Sequence, residues 1–492
     1  MKKYIYKYLI VLPLAISFIS CDLDINDNPN FPANATSDML IPSGITWSTA
    51  RIGRDLQLVG GLWSQHYAQN NSSSQYGDWD VYNITNSSFD AVWSSIYSGA
   101  LPDLNLAKTQ AEANSQWGYW VQAQVMMAFD YHILVDFYET IPFSQALNEQ
   151  YPLPKYDNGK DVNTGIIAML DAAIAKKADA TAGGQASLKE KDFVFSGDIN
   201  KWIQFAKTLK LKILMRDFET NKTAIQSLLS EGDFLTADAR MNGYIDKENN
   251  SNPLYESDRR KLNTKNNIKA SATLITFLKV NEDPRLPDFF EKGIVGDDYV
   301  GLPQGGYSIG AAIIDPNTTS RANLAATDPV YFQSVAESNF LQAECYARLN
   351  DKTKAKAFYE TGVKAAFTRW GHDATTFLAT GGAYAFKDTN LDTMLECILT
   401  QKWVAAVRCQ AWDSFFDINR TGYPKQGTEY TVLESDWATP NSNYIVGQLT
   451  PNVGSVLGGS FPKRLLIPKA SSDYNINAPA VIPLKNKMWW HK

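Results

Sequence analysis

The sequence predicts a mainly α-helical protein, and two observations carry that prediction. In most long segments apolar residues recur three and four positions apart, the spacing of one helix face, whereas strand signals are few and short. The chain has 492 residues, 44% hydrophobic and 20% charged, which places it among globular rather than disordered proteins. Its 46 basic and 52 acidic residues leave a net charge of −6, which argues against a nucleic-acid-binding surface. Four cysteines are too few to build a disulfide scaffold. Aromatic residues make up 12% of the chain, enough to fill cores and still leave flat apolar rings for a ligand.

Taken in order, the N-terminus sets the compartment. Lys2, Lys3 and Lys7 precede an apolar stretch from Leu9 to Ile19, followed by Ser20-Cys21. Eleven residues at ~1.5 Å each cannot cross a ~30 Å hydrocarbon core, so 1–20 reads as a cleavable signal peptide. A short apolar region, a small residue before Cys21 and an acidic stretch after it resemble a bacterial lipoprotein signal. Phe18 stands there where Leu is usual. Cys21 is then the lipidated first residue, and 21–40 is an acidic tether carrying Asp22, Asp24, Asp27, Pro29 and Pro32. Loss of the three lysines takes the net charge from −6 to −9. The alternative is ordinary cleavage, with Cys21 a plain thiol. A membrane-anchored, non-cytoplasmic protein is expected; the acidic tether resembles the surface-export signal of some outer-membrane lipoproteins, which implies a lipid-held place in the outer membrane at the cell surface.

The remaining chain, 41–492, is expected to form a single helical domain. Trp120 to Tyr138 sets Val121, Val125, Ala128 and Leu134 on a helical spacing, stopped by Pro142. Thr164 to Ala178 repeats the period with Ile166, Ile167, Leu170 and Ile174. Asn200 to Arg216 does so with Trp202, Phe205, Leu209 and Ile213, Asn200 being the expected N-cap. Ala224 to Leu229 is a short return helix, and further helices are expected near 271–280, 331–349, 353–369 and 391–410. Ala343, Tyr346, Ala355, Tyr359 and Gly362 carry the small and aromatic offsets of a tetratricopeptide-like helix pair, with Asn350-Asp351-Lys352 as its turn. Gln342 stands where Leu is usual. Stacked helix pairs would explain the length without three separate domains. If Cys397 and Cys409 share one helix they lie ~18 Å apart and cannot pair, so buried free thiols are expected.

Long stretches rich in Asn, Gly, Ser, Thr and Pro separate the helices at 69–90, 243–268, 294–328 and 421–463. Loops of that length are usually functional. The first sets Tyr76, Trp79 and Tyr82 among Asn, Gln, Ser and Asp, a composition suited to sugar rings: aromatic faces meet axial C–H bonds while amides and carboxylates take the hydroxyls. Tyr307, in the glycine-rich third stretch, is a further candidate; the competing reading packs all these rings beneath their loops. Gly306-Tyr307-Ser308-Ile309-Gly310 matches G-x-S-x-G, but Pro303 precedes it and Pro316 follows, so the strand and helix of a nucleophile elbow are not expected. The four histidines are scattered, no metal-binding spacing occurs, and the Asp22-Asp24-Asn26 run fails as a calcium loop at Asp27 and Ala33. Asp297-Asp298 could serve a glycosidase but reads better as a solvated pair. No catalytic set, cofactor or metal is expected.

Several segments together resemble the SusD/RagB family of nutrient-binding outer-membrane lipoproteins over most of the chain. They are Cys21 with Asn28-Pro29-Asn30, Trp202 to Arg216, Asp283-Pro284-Arg285-Leu286-Pro287, Glu337 to Leu349, Trp412 to Pro424, and Arg464-Leu465-Leu466-Ile467-Pro468. Ile467 stands where an aromatic is common, and Ser471 where Glu is common. The resemblance implies an α fold whose tetratricopeptide-like helix pairs support long ligand-binding loops. It also implies capture of oligosaccharides or peptides without cleavage, and a SusC-like TonB-dependent transporter as partner. It assigns no ligand residue. A surface glycan hydrolase and a structural or adhesive lipoprotein are the alternative classes.

Overall fold

The computed structural model describes residues 35–183, 186–262 and 266–492; Cys21, the signal and most of the tether lie outside them. Among the described residues the first helix, α1 (Ser37–Arg51), begins inside the segment read as tether. A π-helical turn at Ile52–Leu56 carries it into α2 (Gln57–Trp63). Then come α3 (Leu101–Ala113), α4 (Trp117–Tyr138), α5 (Gly159–Ala175), α6 (Ile199–Leu214) and α7 (Phe218–Glu231). After α8 (Ala272–Val280) follow α9 (Val335–Arg348), α10 (Lys352–Thr368), α11 (Leu391–Ala405) and α12 (Ala411–Thr421). The fold is mainly α.

Every residue of α4 from Gly118 to Tyr138 is buried, as expected of a helix apolar nearly all round. Its few acids find partners: Ser48 donates to Asp130 at 2.8 Å and Arg216 Nε donates to Asp136 at 3.0 Å. Helices α9 and α10 form an antiparallel pair around buried Ala343, Ala355 and Gly362. A Cβ on Gly362 would come within 2.9 Å of the Phe340 ring, so the small residue is what admits the aromatic one. Tyr346 stacks on Phe358 with centroids 5.4 Å apart.

Some element boundaries differ from the sequence reading. Val330–Gln333 is a strand pairing with Ala239–Met241, not the first turn of a helix. Its Val-Tyr-Phe run suits a pleated surface, and Ser334 caps α9 by accepting from Glu337 N. Asp198, not Asn200, caps α6, its carboxylate accepting from Asn200 N and Lys201 N. Helix α5 stops at Ala175, and Lys177–Ala182 is a separate short helix. Cys409 lies beyond the end of α11; Cys345, Cys397 and Cys409 are all free thiols.

A buried ionic network ties four helices together. Lys212 of α6 bridges Glu337 (2.7 Å) and Asp413 (2.8 Å), while Lys402 of α11 holds Asp417 (2.7 Å). Arg420 of α12 joins Asp417 to Glu344 of α9, both at 2.7 Å, and Arg348 adds a second contact to Glu344 at 2.8 Å. Burial alone would raise the Glu344 carboxyl, but Arg420 and Arg348 outweigh it and hold it down to about 2. Such groups must stay paired, because a lone buried charge is costly.

The loop side carries a small antiparallel sheet of β1 (Tyr67–Gln69), β2 (Ile268–Ala270), β3 (Phe290–Glu291) and β4 (Arg321–Ala322), in spatial order β1-β2-β4-β3. It stitches three of the four long stretches to one another. Helix α2, which leads into β1, is pinned to α12 and α11: a Cβ on Gly60 would meet the Trp412 backbone at 2.5 Å, and Trp403 Nε1 donates to Ser64 O at 2.7 Å.

Candidate functional site

The end of α2 delivers Gln65, with φ of 58°, directly against the C-terminal loop. Its Nε2 donates to Thr450 O at 2.7 Å, and its Oε1 accepts from Thr450 N (2.9 Å) and Thr273 Oγ1 (2.6 Å). Past β1, buried amides shape the 69–90 loop. Gln69 Nε2 donates to Ser73 Oγ (2.8 Å), and its Oε1 accepts from Tyr76 N (2.9 Å). Asn71 Nδ2 reaches Ile314 O at 2.7 Å. The polar composition that suggested a ligand surface is therefore partly used to hold the loop's own backbone.

The four nominated aromatics gather on this side but differ in exposure. Tyr76 is buried, and burial pushes its phenol up. Trp79 is half-buried on a short helix, Gly77–Asp80, its ring 4.8 Å from Phe89 and 5.9 Å from Tyr76. Tyr307 is half-buried and lies over Gly77, where a Cβ would approach its ring to 2.8 Å. Tyr82 is buried, set edge-on to Trp63 (6.2 Å) and Phe461 (6.1 Å). Of the four, Tyr82 lines a cavity of about 300 Å³.

That cavity is formed where the 69–90 loop meets the 421–463 loop. Asn452 Nδ2 donates to Asp80 O (2.6 Å), Val453 N to Gln304 O (2.9 Å) and Val456 N to Val81 O (3.1 Å). Gly305, at φ 72°, permits this crossing: a Cβ there would strike Asn452 Oδ1 at 2.1 Å. The floor is Tyr82 and Phe461; the walls include Gln426, Thr428, Ser455 and Ser460. Behind it Asp80 accepts from Gln304 Nε2 at 2.5 Å, and burial pushes its carboxyl well above the usual range, favouring the uncharged acid. Two residues beyond Thr428, Tyr430 pairs with Trp437 at 5.6 Å, both half-exposed.

Sequence reasoning pointed to the 421–463 stretch but named no residue in it. The criterion that selected Trp79, an aromatic ring among small polar residues, applies equally to Phe461 after Gly458-Gly459-Ser460, and to Tyr430 and Trp437. The crossing to Asp80 has no sequence signal, since it joins residues more than 300 positions apart.

The other chemistry resolves simply. Ser308 sits in a 3₁₀ turn and donates to Gly305 O. Asp297 and Asp298 are exposed, paired with Lys292 and Lys279. Among the described residues no group of three or more His, Cys, Asp or Glu is placed to hold a metal ion, and no helix is long and apolar enough to cross a membrane.

Helix pairs carrying one loop-built face with an aromatic-floored, polar-walled cavity define the class. The family follows: the chain belongs to the SusD-like proteins, whose family model, described as starch-binding and associating with the outer membrane, matches residues 45–444. A SusD homolog from Bacteroides uniformis is similar at TM-score 0.71 and 21% identity, covering 92% of this chain and 99% of its own. A SusD/RagB family protein from Bacteroides thetaiotaomicron gives 0.70 and 21%, covering 93% and 99%. A chitin-binding SusD homolog from Flavobacterium johnsoniae gives 0.71 and 18%, covering 92% and 98%. No curated protein sequence matches the chain.

Proposed function

We propose that this protein captures nutrient oligosaccharides at the cell surface and passes them, uncleaved, to a SusC-like TonB-dependent transporter. The observation that carries this reading is the cavity at Tyr82 and Phe461, aromatic below and rich in hydroxyls and amides at its walls, on the loop face of a SusD-like fold. Half-buried Trp79 and Tyr307 extend the aromatic surface on this side, and buried Tyr76 packs against Trp79. Lipid on Cys21 would hold the chain at the outer membrane through residues 21–40, with 41–492 acting as one unit; stable anchoring needs more than one acyl chain, as a lipoprotein supplies. Ligand held between this chain and the transporter would contact both, so closure would be favoured when ligand is present.

A glycan and peptide array probed with the soluble chain beginning after Cys21, with the bound material recovered and sized, separates the classes. Binding with intact glycan supports capture, and shortened product points to a hydrolase. Binding to neither glycans nor peptides favours a structural lipoprotein. Purification from mildly solubilised outer membranes should bring down a large β-barrel partner, and mass spectrometry should find acylated Cys21. Recovery of the protein alone across several growth glycans would count against the transporter role.

A further inference from the structure

We infer that the cavity at Tyr82 and Phe461 selects uncharged glycans and excludes acidic ones, a specificity that rests on the glycan-capture reading and narrows it. No side chain lining the cavity carries a charge. The ammonium groups nearest in sequence stand outside the lining and are engaged by the fold: Lys463 Nζ, 5.7 Å from the Phe461 ring centroid, donates to Asn419 Oδ1 at 2.8 Å, and Lys425 faces Asp392 and Glu396 at 3.6 and 3.5 Å. Behind the wall, Asp80 is held toward its neutral form by burial, and Glu429, next to Thr428, accepts from Asn441 Nδ2 at 3.0 Å; neither carboxyl offers an acidic glycan a counter-charge.

The polar groups divide into spent and spare. Gln65 and Asn452 give their amides to the loop crossing, so they supply shape. Gln426 and Thr428 are exposed and have side-chain donors and acceptors to offer. Ser455 Oγ accepts from Leu457 N and keeps its own proton to donate. A sugar hydroxyl entering here exchanges water for neutral partners at little loss. A uronate, sulfate or peptide carboxylate would leave water with no counter-ion in the lining to receive it, which is unfavourable. At about 300 Å³ the space lies at the low end for ligand pockets, so it takes a short part of a glycan chain.

The test is calorimetric titration of the detergent-solubilised mature protein with two sets of hexasaccharides. The neutral set is maltohexaose, cellohexaose and N-acetylchitohexaose; the acidic set is hexagalacturonate and hexaguluronate. The expected result is binding of at least one neutral glycan, with both acidic ones weaker by at least about tenfold. An acidic glycan that binds as tightly as the best neutral one overturns the inference while leaving glycan capture standing. No binding by either set overturns both. Thr428→Arg, at an exposed loop position, should narrow the gap between the sets by about tenfold; an unchanged gap would overturn the assignment to this cavity.

Discussion

Two of the cavities among the described residues are polar in opposite ways. The loop cavity holds about 300 Å³ and has no charged lining; a cleft beside Trp489 and Trp490 holds about 440 Å³ and is lined by Lys160, Arg216, Arg348 and Arg420. By composition, the charged cleft is the more obvious binding site. Its guanidinium groups, however, already face carboxylates within the fold: Arg216 meets Asp136, while Arg348 and Arg420 share Glu344. The loop cavity instead keeps hydroxyls and an amide that the fold does not use. The difference teaches that charged side chains gathered at a cleft can belong to the fold rather than to a ligand.

The largest expected effect lies on the charged side. Arg420→Ala leaves Glu344 and Asp417 buried with fewer partners and should cost about 3–5 kcal/mol in denaturant unfolding. Glycan affinity per folded molecule should not change. A variant as stable as wild type would show that these charges do not hold the helices together.

The pH dependence sharpens the same point. Glu344 has a folded-state pKa of about 2 against an ordinary 4.5, so its stabilisation is complete above about 4.5 and lost as pH falls toward 2. The shift corresponds to about 3 kcal/mol. Unfolding curves of wild type and Glu344→Gln should therefore be widely separated at pH 6 and converge near pH 2. A separation that stays constant across that window would contradict the assigned pairing.

Smaller effects belong to the loop side. Trp79→Ala should weaken glycan binding roughly tenfold, from the ring area it offers. It should also cost about 1 kcal/mol of stability, because the ring packs on Phe89. Full affinity alongside a large stability loss would assign Trp79 to the core. Gln426→Ala should weaken binding by about two- to tenfold, the range for one hydrogen bond, with stability unchanged. A Gln426 variant indistinguishable from wild type in titration would remove that amide from the site.

The helical half was the legible half. Periodicity located α4, α6 and the α9–α10 pair because each buries a face set by local spacing, and Gly362 opposite Phe340 follows the small-to-aromatic logic read from sequence. Boundaries were lost where local chemistry overrode the period, as at Val330–Gln333, where β-branched and aromatic residues found a strand partner 90 positions upstream. The loop face was legible as a region and not as a site. Tyr76 and Tyr82 look exposed in a polar stretch, yet Gln69 and the crossing by Asn452 fold that stretch inward and bury both rings. Composition gave no sign of those long-range hydrogen bonds, nor that the 421–463 loop would wall the cavity.

Hydrogen–deuterium exchange with and without the tightest-binding neutral glycan tests the central claim most directly. If the loop cavity is the binding place, protection should rise in 69–90 and 421–463, with Trp489–Lys492 and the α9–α10 pair unchanged. Protection confined to the charged cleft, with the two loops exchanging as before, would contradict it.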